Sequence, residues 1–166
     1  MVFGLFQKKE EPSPSKGATN NNRNVPSTSN QAPGFRAIRQ AVVLITGSSG
    51  LCGARLVEMC LERGAQTVVA VDVKAPSEGD DGAWKALEER YGKQKVILCH
   101  GTKEGDITSD AAMEIAFAKV PKIDMVFHLG GLTGPFFDRR EYVAVNYEGT
   151  RRVIDMCRQH KVPKLM

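Results

Sequence analysis

Three glycines, Gly47, Gly50 and Gly53, recur at three-residue intervals between a short apolar run and an amphipathic segment. A buried strand, a tight turn and the start of a helix produce this order. In that arrangement Gly47 lets the chain reverse, Gly50 lets the backbone approach a pyrophosphate, and Gly53 lets the helix pack close to the strand. Because the first amides of a helix have no intrahelical partner, they can face an anion. The pattern therefore predicts a nucleotide-phosphate site.

A carboxylate completes this signature. Asp72 ends the next apolar run, Thr67–Asp72, and lies 19 residues after Gly53. An acid at this position can accept hydrogen bonds from both hydroxyls of an adenosine ribose, and its charge repels a 2′-phosphate. The glycine loop contains no basic residue, and Lys74 is the only cation just after Asp72. The sequence therefore predicts NAD as the cofactor, with NADP less favoured.

The elements that would position these residues alternate along the chain. Apolar runs typical of buried strands occupy residues 41–45, 67–72, 96–99 and 125–129, and a fifth begins at Val162. Segments with helical periodicity lie between them, at 53–61, 83–90, 109–119 and 141–159. Gly64 and Ser109 are predicted to end and to begin helices, respectively. This alternation predicts an α/β fold, a Rossmann-type doubly wound parallel sheet that is incomplete at its carboxyl-terminal side.

Composition separates residues 1–40 from residues 41–166. The first 40 residues hold six of the 23 Lys and Arg residues but two of the 19 acids, so the entire net charge of +4 lies there. Residues 12–34 are mainly Pro, Ser, Asn, Thr and Gly, which predicts a disordered polar leader. Residues 41–166 are electrically balanced, which argues against a nucleic-acid partner. The longest apolar runs are too short to span a membrane, and the four cysteines lack the spacing of a metal site.

Two patterns look catalytic but are interpreted otherwise. Tyr91 and Lys95 have the spacing of a Tyr-x-x-x-Lys pair, but Gly92 and the following strand oppose a shared helix face. His128 lies in a predicted strand without a paired acid or nucleophile, which favours a structural role.

In the last helix, Asn146 and Gly149 fall on the predicted buried stripe. Both residue types weaken a helix, so their presence requires either packing or a polar contact near the site.

The motifs together resemble the extended short-chain dehydrogenases/reductases. In chain order they are Thr46–Gly53 (Thr-Gly-Ser-Ser-Gly-Leu-Cys-Gly), Asp72, Asp106 with Ile107, His128–Gly131 (His-Leu-Gly-Gly) and Val145–Thr150 (Val-Asn-Tyr-Glu-Gly-Thr). The segment that continues from Val145–Thr150 into Val153–Cys157 and Val162–Leu165 is most similar to the 3-beta-hydroxysteroid dehydrogenase branch, particularly sterol-4-alpha-carboxylate 3-dehydrogenases. Sugar-nucleotide epimerases share most of these motifs.

The resemblance implies a set of cofactor-binding residues. Those at the pyrophosphate would be Gly47, Ser49, Gly50, Leu51, Cys52 and Gly53, with the amides of Leu51 and Cys52 as donors. Asp72 would bind the ribose, and Asp106 and Ile107 the adenine. The chain would run alongside the nicotinamide ribose at Leu129, Gly130 and Gly131. Asn146 would match the family asparagine that supports the catalytic lysine.

The chain departs from the family pattern in two respects. Gly130 and Gly131 stand where the family usually has two alanines, and residues 101–104 lengthen the approach to Asp106. The family's catalytic Ser or Thr, Tyr and Lys would follow Met166. We therefore expect the chain to be the truncated cofactor-binding part of a longer dehydrogenase, inactive by itself, with no catalytic residue among its own.

The resemblance also implies the activity and setting of the full-length parent. It would oxidise a 3-beta-hydroxyl on a steroid-like or sterol-like small molecule with NAD, as a possible homodimer. The expected location is the cytoplasm, or the cytosolic face of the endoplasmic reticulum if a carboxyl-terminal anchor follows. Two alternatives stay open, namely a sugar-nucleotide epimerase or dehydratase and a non-catalytic nucleotide-binding module.

Overall fold

The computed structural model describes residues 37–74 and 81–166. Except for its last four residues, the predicted leader lies outside the described residues. The regular elements, in chain order, are β1 Val42–Thr46, α1 Leu51–Glu62, β2 Thr67–Asp72, α2 Asp81–Tyr91, β3 Val96–His100, α3 Asp110–Ala118, β4 Met125–His128, α4 Arg139–Tyr142 and α5 Thr150–Gln159. A 3-10 turn, Lys93–Lys95, precedes β3, and a π-helix, Val143–Gly149, joins α4 to α5.

The four strands form one parallel sheet in the order β3-β2-β1-β4. At its carboxyl edge Asp72 pairs with His100, and Thr46 pairs with His128. After α5, the chain returns alongside β4, where the His128 amide donates to the Met166 carbonyl over 2.8 Å. These features confirm the predicted Rossmann-type sheet, and the predicted fifth strand begins beside β4.

Apolar side chains cover both faces of the sheet. Alternate residues of one strand point to opposite faces, so Leu44 joins one buried cluster while Val43 and Ile45 join the other. The first cluster includes Met113 and Phe117 of α3. The second contains the side chains Val57 and Cys60 of α1 and Trp84 of α2. This two-sided burial explains why the strands are apolar throughout instead of alternating with polar residues.

The packed part of the chain begins before residue 41. Ala37 and Ile38 pack against the second cluster, and the Gln40 amide donates to the Gly64 carbonyl over 2.8 Å. Gly64 has a φ of +81°, as expected of the residue that follows a helix in the left-handed conformation. Residues 37–40, assigned to the leader by composition, thus contact the folded domain.

The last helical segment differs from the prediction. Its middle is the π-helix Val143–Gly149, whose hydrogen bonds span one residue more than those of an α-helix. The predicted single stripe is therefore wrong for Asn146, which is exposed, whereas Gly149, Val153 and Cys157 are buried as expected. Within the described ranges, no helix combines the length and apolar character needed to cross a membrane.

Candidate functional site

A cleft of about 400 Å³ lies at the carboxyl edge of the sheet. Eight predicted site residues line it: Gly47, Gly50, Asp72, Asp106, Ile107, Leu129, Gly130 and Gly131. The remaining predicted residues, Ser49, Leu51, Cys52, Gly53 and Asn146, are not in its lining. Five lining residues were missed by sequence reasoning: Val73, Gly105, Thr108, Leu132 and Val145. Ligands of doubly wound sheets bind at this edge, so the cleft is the candidate site.

The glycine loop packs tightly against two neighbours. Gly47 has a φ of +71°, and a Cβ there would lie 2.7 Å from the backbone of Leu129 and Gly130. A Cβ on Gly53 would lie 2.0 Å from the Gly47 carbonyl oxygen. Both glycines are therefore required by close backbone approach, as the spacing predicts.

The amino end of α1 fits an anionic group. No side chain caps it, and its first turn contains no acidic residue. The first-turn amides of Leu51 and Cys52 have no intrahelical partner. Next to them, the Ser49 hydroxyl oxygen is buried without a hydrogen-bond partner among the described residues. Unpaired amide donors at the start of a helix favour an anionic group such as a pyrophosphate.

Asp72 is fixed beside this loop by backbone donors. The Ser49 amide donates to its Oδ2 over 2.9 Å, and the Lys74 amide donates to its Oδ1 over 2.8 Å. Gly105 leaves room for this strand end, because a Cβ there would lie 2.0 Å from the Asp72 carbonyl oxygen. The carboxylate is therefore held in the cleft with lone pairs left for a ligand. In the sequence, the position of Gly105 directly before the predicted site residue Asp106 is the one signal that could have pointed to it.

His128 organises the opposite side of the cleft. Its Nδ1 lies 2.6 Å from the hydroxyl of buried Thr46, and its Nε2 lies 2.9 Å from the hydroxyl of Thr150. The Thr46 hydroxyl in turn accepts the Gly130 amide over 3.2 Å. Burial lowers the pKa of His128, which favours the neutral ring. With both ring nitrogens close to threonine hydroxyls, His128 connects β1 and α5 at the point where the loop after β4 begins.

Asn146 makes the polar contact that the sequence predicts for an asparagine within this helical segment. Its Oδ1 accepts the Leu132 amide over 2.7 Å, and its Nδ2 donates to the Leu132 carbonyl over 2.9 Å. Its Oδ1 is also the nearest neighbour of a Cβ built on Gly131, at 3.3 Å. Asn146 thus acts on the cleft by holding the loop that lines it.

Gly149 is explained by packing against Ile107. A Cβ on Gly149 would lie 3.0 Å from the Ile107 side chain. The Ile107 side chain also lies 3.3 Å from a Cβ built on Gly130. On the same loop, Asp106 Oδ1 accepts both the amide and the hydroxyl of Thr108, over 2.8 and 2.7 Å. Asp106 and Ile107 therefore hold a fixed wall of the cleft.

This geometry agrees with the match to a protein family. The model of the NAD dependent epimerase/dehydratase family matches residues 43–166. The chain belongs to that family. The description of the family names NAD, and the match therefore confirms the predicted cofactor. It supports the extended dehydrogenase resemblance at the level of this family.

Curated relatives are similar over part of their length. Momilactone A synthase of Oryza sativa subsp. japonica is 32% identical over 94 residues, which cover 57% of this chain and 32% of the relative. The 2-alkyl-3-oxoalkanoate reductase of Stenotrophomonas maltophilia (strain K279a) is 27% identical over 124 residues, 75% of this chain and 32% of the relative. The matched part of this chain thus spans about a third of the length of these relatives.

Solved structures share the fold. Pen from Bacillus thuringiensis superposes with a TM-score of 0.61 at 23% identity, covering 77% of this chain and 37% of that one. WbmF from Bordetella bronchiseptica, in complex with NAD+ and UDP, has a TM-score of 0.57 at 22% identity, covering 77% of this chain and 35% of that one. At these identities the likeness concerns the Rossmann-type fold.

Proposed function

We propose that residues 37–166 form the cofactor-binding part of an NAD-dependent oxidoreductase, with NAD in the cleft at the carboxyl edge of the sheet. One observation carries the proposal: the uncapped amino end of α1 and the carboxylate of Asp72 meet at the same glycine loop. An anion-binding end and a hydroxyl-binding acid match the two ends of an adenosine diphosphate.

Each part of the cofactor has its own residues in this proposal. The pyrophosphate lies against Gly47 and Gly50 and accepts hydrogen bonds from the Leu51 and Cys52 amides. The adenosine ribose donates to Asp72. Asp106 and Ile107 form the wall beside the adenine. The wall beside the nicotinamide ribose consists of Leu129, Gly130 and Gly131.

When bound, NAD supplies a nicotinamide ring that accepts a hydride from the carbon of an alcohol. The residues of this chain bind and orient that group, and the apolar side chains of Leu129 and Val145 line the cleft on its side. The proton acceptor of the reaction is proposed to lie in the longer protein, outside residues 37–166.

The finer proposal concerns the substrate of the whole protein. The run of Val145–Thr150 into Val153–Cys157 and Val162–Leu165 resembles the 3-beta-hydroxysteroid dehydrogenase branch. We therefore propose oxidation of a 3-beta-hydroxyl on a steroid-like or sterol-like molecule, by a homodimer as in that branch.

A second candidate is a sugar-nucleotide epimerase or dehydratase, favoured by the likeness to WbmF, which was solved with NAD+ and UDP. Incubating the whole protein with a 3-beta-hydroxysterol or a UDP-sugar separates the two, since only sterol oxidation accumulates NADH while epimerisation leaves an isomeric sugar. NAD binding with neither reaction favours a non-catalytic module.

Titration calorimetry of the chain with NAD and NADP tests the cofactor site. We expect NAD to bind at least about tenfold more tightly than NADP, because the Asp72 carboxylate binds ribose hydroxyls and repels a 2′-phosphate. The variant Asp72→Asn keeps an acceptor for the Ser49 amide but removes the charge, so it should weaken NAD binding about tenfold and remove the discrimination.

Glu114→Ala is the matched control, since it removes one exposed acid outside the cleft lining. It should leave both affinities unchanged. Tighter binding of NADP than of NAD by the unmodified chain would overturn the assigned role of Asp72, and absence of binding to either would overturn the proposed site.

A further inference from the structure

His100 contacts the glycine loop from outside the cleft. It is the last residue of β3 and pairs in register with Asp72 on β2. Its Nε2 lies 3.0 Å from the Ser48 hydroxyl oxygen, within the glycine loop, although His100 itself does not line the cleft. The ring therefore touches the loop without touching the space where a cofactor would lie.

Ser48 is one of the points at which the glycine loop is attached to the sheet. It is fully buried, and its amide donates to the Val71 carbonyl over 3.2 Å. The next residue, Ser49, donates its amide to Asp72. Two of these attachments come from backbone amides. The third, from His100, is the only one among the described residues that depends on the Ser48 side chain.

The environment of His100 restricts its ring to this place. Trp84 of α2 packs edge-on against it with ring centroids 5.1 Å apart. The other nitrogen, Nδ1, is buried without a partner among the described residues. A half-satisfied imidazole costs free energy that an apolar side chain would not. Its hydrogen bond to the loop offers a reason for histidine at the end of β3.

We propose that His100 is a positioning residue for the cofactor: through Ser48 it holds the Gly47–Gly50 turn in the conformation that accepts a pyrophosphate. This inference rests on the proposed NAD site. It differs from that proposal because no atom of His100 contacts the cofactor. The effect of His100 should therefore depend on the phosphates of the ligand and on the presence of the Ser48 hydroxyl.

The test compares three ligands, NAD, ADP and adenosine, on variants of the chain. His100→Phe keeps an aromatic ring against Trp84 but removes the hydrogen bond, and Ser48→Ala removes it from the other side. Each should weaken NAD and ADP binding about fivefold to tenfold, the worth of one hydrogen bond, and leave adenosine binding unchanged. His100→Gln, whose amide reaches the position of Nε2, should restore most of the affinity.

The double variant, His100→Phe with Ser48→Ala, tests whether the two residues act together. It should bind NAD no more weakly than either single variant, because both changes remove the same bond. Far-ultraviolet circular dichroism reports whether each variant is folded, because Trp84 packs against the substituted ring and its emission would respond to the substitution itself. If His100→Phe does not fold, Ser48→Ala carries the same expectation.

Several outcomes would overturn the inference. Unchanged NAD affinity in folded His100→Phe and Ser48→Ala would remove the positioning role, and so would additive losses in the double variant. Equal weakening of adenosine would show that His100 supports the sheet edge in general. An unmodified chain that binds neither NAD nor ADP would end the proposed cofactor site and this inference with it.

Discussion

At the scale of single residues, Gly53 shows how a side chain's absence positions the site. It is the third residue of α1, where the Gly47 carbonyl oxygen would be 2.0 Å from any Cβ. That oxygen belongs to the backbone of the loop, so it cannot rotate away as a flexible side chain would. The helix can therefore present its amino end beside the cleft only if residue 53 is glycine.

Two glycine-to-alanine substitutions give opposite predictions. Gly53→Ala should lower the free energy of unfolding by about 2 kcal/mol and abolish NAD binding, because the loop must move away from the helix. Gly82→Ala is the matched control: Gly82 lies in α2, and a Cβ there has no atom within 4 Å. It should raise the free energy of unfolding by about 0.5 kcal/mol through its greater helix propensity.

Urea denaturation followed by Trp84 emission measures both free energies, and titration calorimetry measures NAD binding. Equal stability of Gly53→Ala and the unmodified chain would contradict the packing described here. Reduced stability of Gly53→Ala with normal NAD affinity would show that the close contact between α1 and the glycine loop is not needed for NAD binding.

At the scale of elements, two partly buried histidines join the ends of the strands to their neighbours. His128 links β1, β4 and α5 through Thr46 and Thr150, while His100 links β3 to the glycine loop through Ser48. Burial lowers the pKa of both rings below the ordinary value for histidine, although the charge of Asp72 partly opposes this for His100. Both connections are therefore made by imidazoles that favour the neutral form.

This arrangement predicts that the chain is less stable in mild acid. In the unfolded chain the imidazoles bind protons as pH falls through about 6.5, whereas in the folded chain they do so only at lower pH. The unfolded state then binds more protons, so the free energy of unfolding should be constant between about pH 7 and pH 8 and decrease below about pH 6.5.

Urea midpoints between pH 5 and 8 test the prediction, and NMR titration of the imidazole signals assigns it to His100 and His128. A further decrease near and below pH 4 is expected from Asp124, whose pKa is lowered by the Lys122 ammonium and by the Val42 amide. A urea midpoint that rises as the pH falls from 7 to 5 would contradict the neutral form of the His100 and His128 imidazoles in the folded chain.

The elements also show where periodicity stops being informative. The bounds of β2 and the Ser109 cap of α3 could be predicted, because an apolar run and a capping hydroxyl are local signals. The π-helix before α5 could not be predicted, because its longer hydrogen-bond span is not visible in a pattern counted at α-helical spacing. Asn146 was consequently placed on the buried face, although its need for a polar contact was predicted from the residue type alone.

At the scale of the whole molecule, the sequence predicted the fold and much of the cleft but not the contacts between distant strands. Glycine spacing and a strand ending in Asp72 follow from local backbone requirements, so both could be found by inspection. Gly105 and His100 matter because of what lies opposite them on β2 and in the glycine loop. One sequence gives no signal for such pairs until the sheet order is known.

The boundary of the domain is the last feature that the structure refines. Ile38 and Ala37 pack against the cluster beneath α1, and the Ala41 amide donates to the Ile38 carbonyl over 3.0 Å. The prediction therefore compares a chain that begins at residue 37 with one that begins at residue 41. One that begins at residue 41 should lose about 2 kcal/mol of unfolding free energy, since it exposes the apolar surface that these residues cover.

Ile38→Ala in the full chain separates this packing effect from any effect of chain length. Because Ile38 is only partly buried, the substitution should cost about 1 kcal/mol, less than the loss of the whole segment. Urea denaturation of the four proteins provides the comparison. If the chains that begin at residues 37 and 41 are equally stable, the segment before β1 does not belong to the folded unit and the compositional boundary at residue 41 is the physical one.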